Sequence, residues 1–331
     1  MRITSAHGSG GKQTTDLIHD IFQEQLGNTI LNQMEDAAVL NLPSGRIAFT
    51  TDSFVVKPIF FAGGDIGRLA VCGTVNDLLM RGAVPRYLSA GFILEEGLDT
   101  DDLVRIVRSM RQAADEAQVA IVAGDTKVVE GAGGLYINTS GIGCLDDALN
   151  IGANRAKDGD VILISGFLGN HEACILSSRM GIENRIESDC APLTAMVFSL
   201  INNGVTIHAM RDITRGGLAT VLNEIASASH IFMELLPDLE LADPTVSGFC
   251  EILGLDPLYM GNEGKIMLTV PARAAAKALA LIQSSPYGRN ARLIGSVLAA
   301  EKIPPAVVMK TKSGGTRLID SLIGEGLPRI C

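Results

Sequence analysis

No CxxC pair, no HExxH signature and no other Cys/His cluster occurs in this chain, so a zinc or iron–sulfur site is not expected. Its cysteines stand singly at positions 72, 144, 174, 190, 250 and 331, and the five internal ones read as small buried hydrophobes. No run is long and apolar enough to cross a bilayer, and the opening stretch MRITSAHGSGGK lacks a hydrophobic signal core. Positive charge is in deficit. Lys and Arg number 27 against 37 Asp and Glu, a net charge of -10, which argues against nonspecific binding to nucleic acid or an anionic membrane. There is no short-period repeat and no low-complexity segment. A cytoplasmic compartment with reduced thiols is the expectation.

What is present is enough sequence for two cores: 331 residues, 47% of them hydrophobic. Apolar β-rich runs alternate with helical patterns along the whole chain. RIAFT (46–50), RYLSAGFIL (86–94), VAIVAG (119–124) and LYINTSGIG (135–143) read as strands. Leu103, Val104, Val107, Met110, Ala113 and Ala114 recur at helical spacing after Thr100, the expected N-cap. NRAKDGD (154–160) reads as a polar linker, after which the alternation restarts. Strands are expected at 161–166, 205–210, 231–236, 265–270 and 291–297, with helices near 171–180, 191–203, 215–228 and 272–285. Two α/β domains are predicted, 1–150 and 151–322, followed by a short tail, 323–331.

The stretch HGSGGKQTTDLI (7–18) sets glycines and Lys12 ahead of a helical pattern. Bare amides at a helix N-terminus suit phosphate. This is not a Walker A loop, because Ala6 and Gln13 stand where glycine and Ser or Thr are needed. A helix cap on a plain N-terminal arm is the alternative. More telling are acids among small or hydroxylated neighbours at strand ends: Asp36, Asp52, Asp77 beside Asn76, Asp125 and Asp212. Each alone reads as a helix or turn cap. Five together, with the glycine-rich lysine loop, suit a magnesium–nucleotide site, because magnesium takes oxygen ligands from carboxylates and phosphates. Such acids are expected to converge on one edge of the sheet. Lys127, two residues after Asp125, and Glu263, between glycines in GNEGK, are candidates for proton transfer.

AHGSGGK, EDAAV, TDSFVV, CGTVNDL, RYLSAGFILEEGL, AGDTKVV, RDITRGGL, NEGK and the terminal PRIC together resemble the HypE family of hydrogenase maturation factors over nearly the whole chain. The aspartate pattern is similar to that of a wider superfamily of aminoimidazole ribonucleotide synthetase-like, thiamine monophosphate kinase and selenophosphate synthetase enzymes. The arm has no cysteine of the kind a selenophosphate synthetase would carry. The resemblance implies two α/β domains of the aminoimidazole ribonucleotide synthetase-like type. It implies a homodimer built by pairing of the N-terminal sheets, with ATP and Mg2+ in a cleft between the domains. Asp36, Asp52, Asp77, Asp125 and Asp212 would be metal and phosphate ligands. Gly8, Gly10, Gly11, Lys12, Asn76 and Thr126 would contact ATP and its phosphates.

The resemblance also gives the last residue a purpose. Cys331 would carry a carbamoyl group placed there by the carbamoyltransferase HypF. ATP-driven dehydration would convert it to a thiocyanate, and the cyano group would pass to iron on a HypC–HypD complex. Loss of water from an amide needs an activated oxygen and a base for two protons. Glu263 ranks first as base and Lys127 as an oxygen or phosphate contact, with the reverse assignment open. The nine tail residues reach at most about 30 Å when extended, far enough to visit both the chain's own cleft and a partner's site. A carrier that does no chemistry, and a free small-molecule kinase or synthetase of the superfamily, are the competing functions.

Overall fold

The computed structural model describes residues 2–8, 12–34, 38–43, 45–237, 239–300, 304–311 and 313–321. The expectations for Gly10, Gly11, Asp36, Cys331 and the tail lie outside them.

Burial on one face builds the N-terminal domain. Strands β1 (Arg46–Phe54), β2 (Val84–Glu95), β3 (Ala120–Val129) and β4 (Leu135–Leu145) form a sheet in the order β1-β4-β2-β3, in which β2 and β3 run parallel and the other pairs antiparallel. Helices α1 (Ile66–Met80) and α2 (Thr100–Ala117) contribute the buried residues against it. Helix α1 gave no periodic signal in the sequence because every residue but Arg68 and Asp77 is buried; a helix surrounded by protein needs no polar face. It starts at Asp65, whose carboxylate accepts from the Gly67 and Arg68 amides at 2.7 and 3.0 Å, a cap typically worth about 1 kcal/mol. A Cβ on Gly67 would lie 2.4 Å from the Ile106 carbonyl oxygen, so glycine is what lets α1 and α2 approach. Helix α2 carries the expected stripe, but its cap is Asp99, accepting from the Asp101 amide at 3.0 Å, while Thr100 is buried.

The C-terminal domain is a seven-stranded sheet covered on both faces. It comprises β5 (Asp160–Ile164), β6 (Ala209–Asp212), β7 (Ile231–Leu235), β8 (Ile266–Pro271), β9 (Arg292–Ala299), β10 (Ala306–Lys310) and β11 (Thr316–Leu318), in the order β11-β10-β7-β9-β5-β8-β6. Alternation along β5 shows the two faces. Leu163 joins a core continuous with the N-terminal domain, which also takes residues of α3 (Asn170–Met180), α4 (Thr194–Asn202), α6 (Pro244–Leu253) and α7 (Ala275–Gln283). Ile162 and Ile164 join a second core, under α5 (Gly217–Ser229). Strand β8 lies between β5 and β6 and is buried from Ile266 to Val270, so it reads as a continuous apolar run.

Several expectations shift. Strands β1 and β3 run to Phe54 and Val129, so Asp52 and Asp125 lie inside strands, not just past them. The strand expected at 205–210 begins only at Ala209. The helix expected at 191–203 begins at Thr194, leaving 188–193 as a non-helical strap. Among the described residues no helix is long and apolar enough to cross a membrane.

Candidate active site

Side chains alternate across a strand, and this divides the expected site residues into two groups. Asp52 pairs with Thr139, Thr139 with Ala90, and Ala90 with Gly124, a row on the helix-covered side, where Thr139 bonds to α1 through Thr74 and the Ala70 carbonyl. The adjacent row runs Ser53, Asn138, Gly91, Asp125 on the opposite, open face. Within one chain Asp52 and Asp125 therefore do not converge on one edge. The expectation that the strand-end acids meet holds only for part of them, because the two strands place these residues in opposite phase.

The helix side holds one group. Asp52 from β1, Asp77 from α1, Asp212 at the end of β6 and Glu263 from the loop before β8 line a single cavity of about 60 Å³, together with Thr214 and Arg215. A Cβ on Gly73 would lie within 3 Å of the Phe54 ring and 3.7 Å from Asp52 Oδ2, so glycine here keeps the helix close to the carboxylates. Burial raises the pKa of Asp52, opposed by the Ser53 amide and by Arg215. Burial and then the charge of Asp52 raise Asp77, against a 2.8 Å hydrogen bond donated by the Thr50 hydroxyl. Burial, with the charges of Asp77 and Asp52, pushes Asp212 up to about 7. Glu263 is raised well above the carboxylate range, by burial first and then by Asp212, Asp189 and Asp52. Four half-buried or buried carboxylates, three of them raised further by the charge of a neighbour, favour positive charge in this cavity.

A second cavity, of about 300 Å³, shares Asp77 and Asp212 and opens against Phe49, Met80, Arg81, Met210 and Arg211. Neither arginine was singled out from the sequence, nor was Arg215, although Arg211 and Arg215 lie inside the quoted RDITRGG stretch. Arg81 follows α1 directly, and α1 had no signature to draw attention to it.

The open-face group stands apart. Lys127 Nζ donates to both Asp125 oxygens at 2.7 Å, and this bond holds the Asp125 carboxyl below its ordinary value. The pair is exposed, so it stabilises little by itself. With Thr126 it borders an apolar groove of about 350 Å³ beneath the N-terminal helical segment, where Phe22 packs on Phe92. Gly8 ends a short 3-10 turn, Ser5–Gly8, and Lys12 opens the following helix. Asn76 is placed differently from the expected phosphate contact. It is buried, its amide donates to the Ala191 carbonyl at 3.0 Å, and its oxygen accepts from the Leu193 amide at 2.9 Å. Both halves of the side chain are committed to the strap.

Residues 34–145 match the family described as AIR synthase related protein, N-terminal domain, and residues 157–306 match its C-terminal domain counterpart. A carbamoyl dehydratase HypE of Azotobacter vinelandii is 47% identical over 99% of this chain and 97% of its own length. The chain belongs to the HypE carbamoyl dehydratase family. A crystal structure of the hydrogenase maturation protein HypE in complex with ATP matches it with a TM-score of 0.94 and 49% identity, covering 99% of both chains. The HypE chain of a HypE–HypF complex matches with a TM-score of 0.80 and 44% identity over 92% of this chain and 99% of that one. The two α/β domains of the expected type are thus those of HypE.

The carboxylate group fits a hard divalent cation in its donor chemistry. Among the described residues, however, no three His, Cys, Asp or Glu side chains are already arranged to hold a metal. Magnesium would bind here through one or two carboxylates and complete its shell with water and phosphate oxygens.

Proposed function

We propose that this HypE-family chain uses ATP to dehydrate a carbamoyl group carried on the sulfur of its terminal Cys331. The product is a thiocyanate that supplies the cyanide ligand of [NiFe]-hydrogenase iron. The observation that carries the reading is the convergence of Asp52, Asp77, Asp212 and Glu263 on one interdomain cavity beside a larger, partly apolar one. The larger cavity takes the nucleoside, and the triphosphate lies toward the carboxylates. Magnesium among these oxygens supplies charge neutralisation for phosphates and carboxylates alike. Asp36, Lys12 and the glycines 8, 10 and 11 are proposed contacts of the same metal and phosphates. The likeness to a HypE bound to ATP supports the nucleotide, and the HypE–HypF likeness supports HypF as the source of the carbamoyl group. A HypC–HypD complex would receive the cyano group.

The chemistry balances without a further reactant. The carbamoyl oxygen attacks the γ-phosphorus and ADP leaves. The carbon–oxygen bond then breaks, phosphate departs with that oxygen, and the nitrogen gives up two protons. Glu263 is suited to take a proton, because a carboxylate raised by burial is a stronger base than an exposed one. Arg215 at the cavity wall stabilises the charge passing to phosphate.

Asp125 and Lys127, on the open sheet face, reach this site in a homodimer. The open sheet face exposes Phe49 at 66%, Ile47 at 52% and Ile93 at 46%, an apolar surface that a second copy would cover. Strands β1 and β3 are the two edges of the sheet, and a two-fold axis running along the strands would set β1 of one protomer beside β3 of its partner. Lys127 from the partner subunit then approaches the carboxylate site as an oxygen or phosphate contact.

The test is intact mass of the C-terminal peptide after incubation with HypF, carbamoyl phosphate and ATP, with and without further magnesium–ATP. A carbamoyl adduct on Cys331 that loses one water only with added ATP supports dehydration on the chain's own tail. An adduct that forms and persists in ATP would leave a carrier. No adduct would point to a free small substrate.

A further inference from the structure

The main chain of Glu263 is held at both its amide and its carbonyl by the strap 188–193. Its amide donates to Asp189 Oδ1 at 3.1 Å, and its carbonyl accepts from the Ala191 amide at 3.3 Å. Asp189 is buried and pairs through Oδ2 with Lys265 Nζ at 3.2 Å, so its carboxylate bridges the residues on either side of Gly264. A Cβ on Gly264 would lie 1.9 Å from the Asp189 carbonyl oxygen, which shows how tightly the strap and the Glu263 loop are pressed together.

The strap is in turn held by the other domain. Asn76 of α1 takes the Ala191 carbonyl and the Leu193 amide, and Arg68, two turns earlier on the same helix, donates to the Cys190 carbonyl at 3.0 Å. The next residue after Asn76 is Asp77, one of the acids of the cavity. A continuous line of hydrogen bonds therefore runs from the helix that presents Asp77 to the backbone that presents Glu263.

We propose that Asn76 and Asp189 are positioning residues for Glu263, and that the strap 188–193 fixes the base relative to the carboxylates that face the nucleotide. The proposal rests on the reading of Glu263 as base. Neither residue touches the reacting atoms. Each acts through the Glu263 main chain, where a displacement of about 1 Å costs up to about a hundredfold in rate.

The experiment measures the rate at which carbamoylated full-length protein loses water, as a function of ATP concentration, for Asn76→Ala, Asp189→Ala, Asp189→Asn and Glu263→Gln, singly and combined. Asn76→Ala and Asp189→Ala are expected to lower the rate at saturating ATP at least about tenfold while the ATP concentration for half-maximal rate moves less than about twofold. Asp189→Asn keeps an oxygen for the Glu263 amide and is expected to recover most of the rate, which also covers the case in which the alanine variant does not fold. Adding either alanine substitution to Glu263→Gln is expected to cost nothing more, since the positioned group is already gone. A further tenfold loss in the Glu263→Gln background would overturn the proposal, as would full activity in Asn76→Ala. Full activity in Glu263→Gln itself would instead overturn the base assignment.

Discussion

The Thr50 hydroxyl donates to Asp77 Oδ2 at 2.8 Å, tying edge strand β1 to helix α1 at the mouth where the two interdomain cavities meet. The bond favours the ionised carboxylate, which burial and Asp52 disfavour. Thr50→Val keeps the branched shape and removes the donor. Magnesium–ATP affinity is expected to fall about tenfold, the loss of one hydrogen bond to a charged acceptor. Titration calorimetry checks this, and unchanged affinity would mean that Asp77 is not a ligand.

Asp212 sets stability against the proposed function. Its pKa rises on folding from 3.8 to about 7, so the folded state holds its proton more tightly than the unfolded one. The contribution of Asp212 to stability is therefore greatest below about pH 4, falls as pH rises toward 7, and levels off above, by roughly 4 kcal/mol in the absence of cations. Asp212→Asn is expected to raise the melting temperature of metal-free protein at pH 8 and to leave it unchanged at pH 4. The same variant should lose ATP-dependent dehydration. Melting curves at both pH values with chelator decide the first point, and equal gains at pH 4 and pH 8 would refute it.

The open sheet face gives a third expectation. Ile47→Glu and Ile93→Glu put charge into the surface proposed to join two protomers, at side chains that are exposed in the single chain and line neither interdomain cavity. Light scattering should show a shift from dimer to monomer, with loss of dehydration and retention of the circular dichroism spectrum. A dimer that survives both changes would move the interface elsewhere.

How much of this could be read from the residues depends on what each signal reports. Helix α2 was visible because one face meets water and the other does not. Helix α1 was invisible for the opposite reason, and it carries Asp77 and Asn76. The acids Asp52, Asp77 and Asp212 were legible as a group because carboxylates among small residues are costly without a cation. Their separation from Asp125 was not, because it depends on which side of the sheet each residue faces. That phase is set by strands that run several residues past the apparent ends. Asn76 illustrates a further limit: an amide beside a candidate ligand acid looks like a ligand until its partners across the domain boundary are seen. Asp189 and Arg215 gave no separate signal, since their roles rest on contacts between distant segments.

The placement of Lys127 on the far face makes a prediction that separates one-chain from two-chain sites. If Lys127 of one protomer serves the carboxylates of its partner, then Lys127→Met and Glu263→Gln damage sites that draw on different chains. A heterodimer with one of each has one site with both defects and one with neither. Purified through two different tags, it is expected to recover about half of the wild-type dehydration rate per dimer, although each mutant homodimer is nearly inactive. If both residues act within one chain, each site of the heterodimer keeps one defect and no rate returns. Activity in the mixed dimer at the level of the two inactive parents would therefore place Lys127 and Glu263 in the site of one chain, whereas an active Lys127→Met homodimer would place Lys127 outside the reaction. Its exposed pairing with Asp125 would then be the whole of its role.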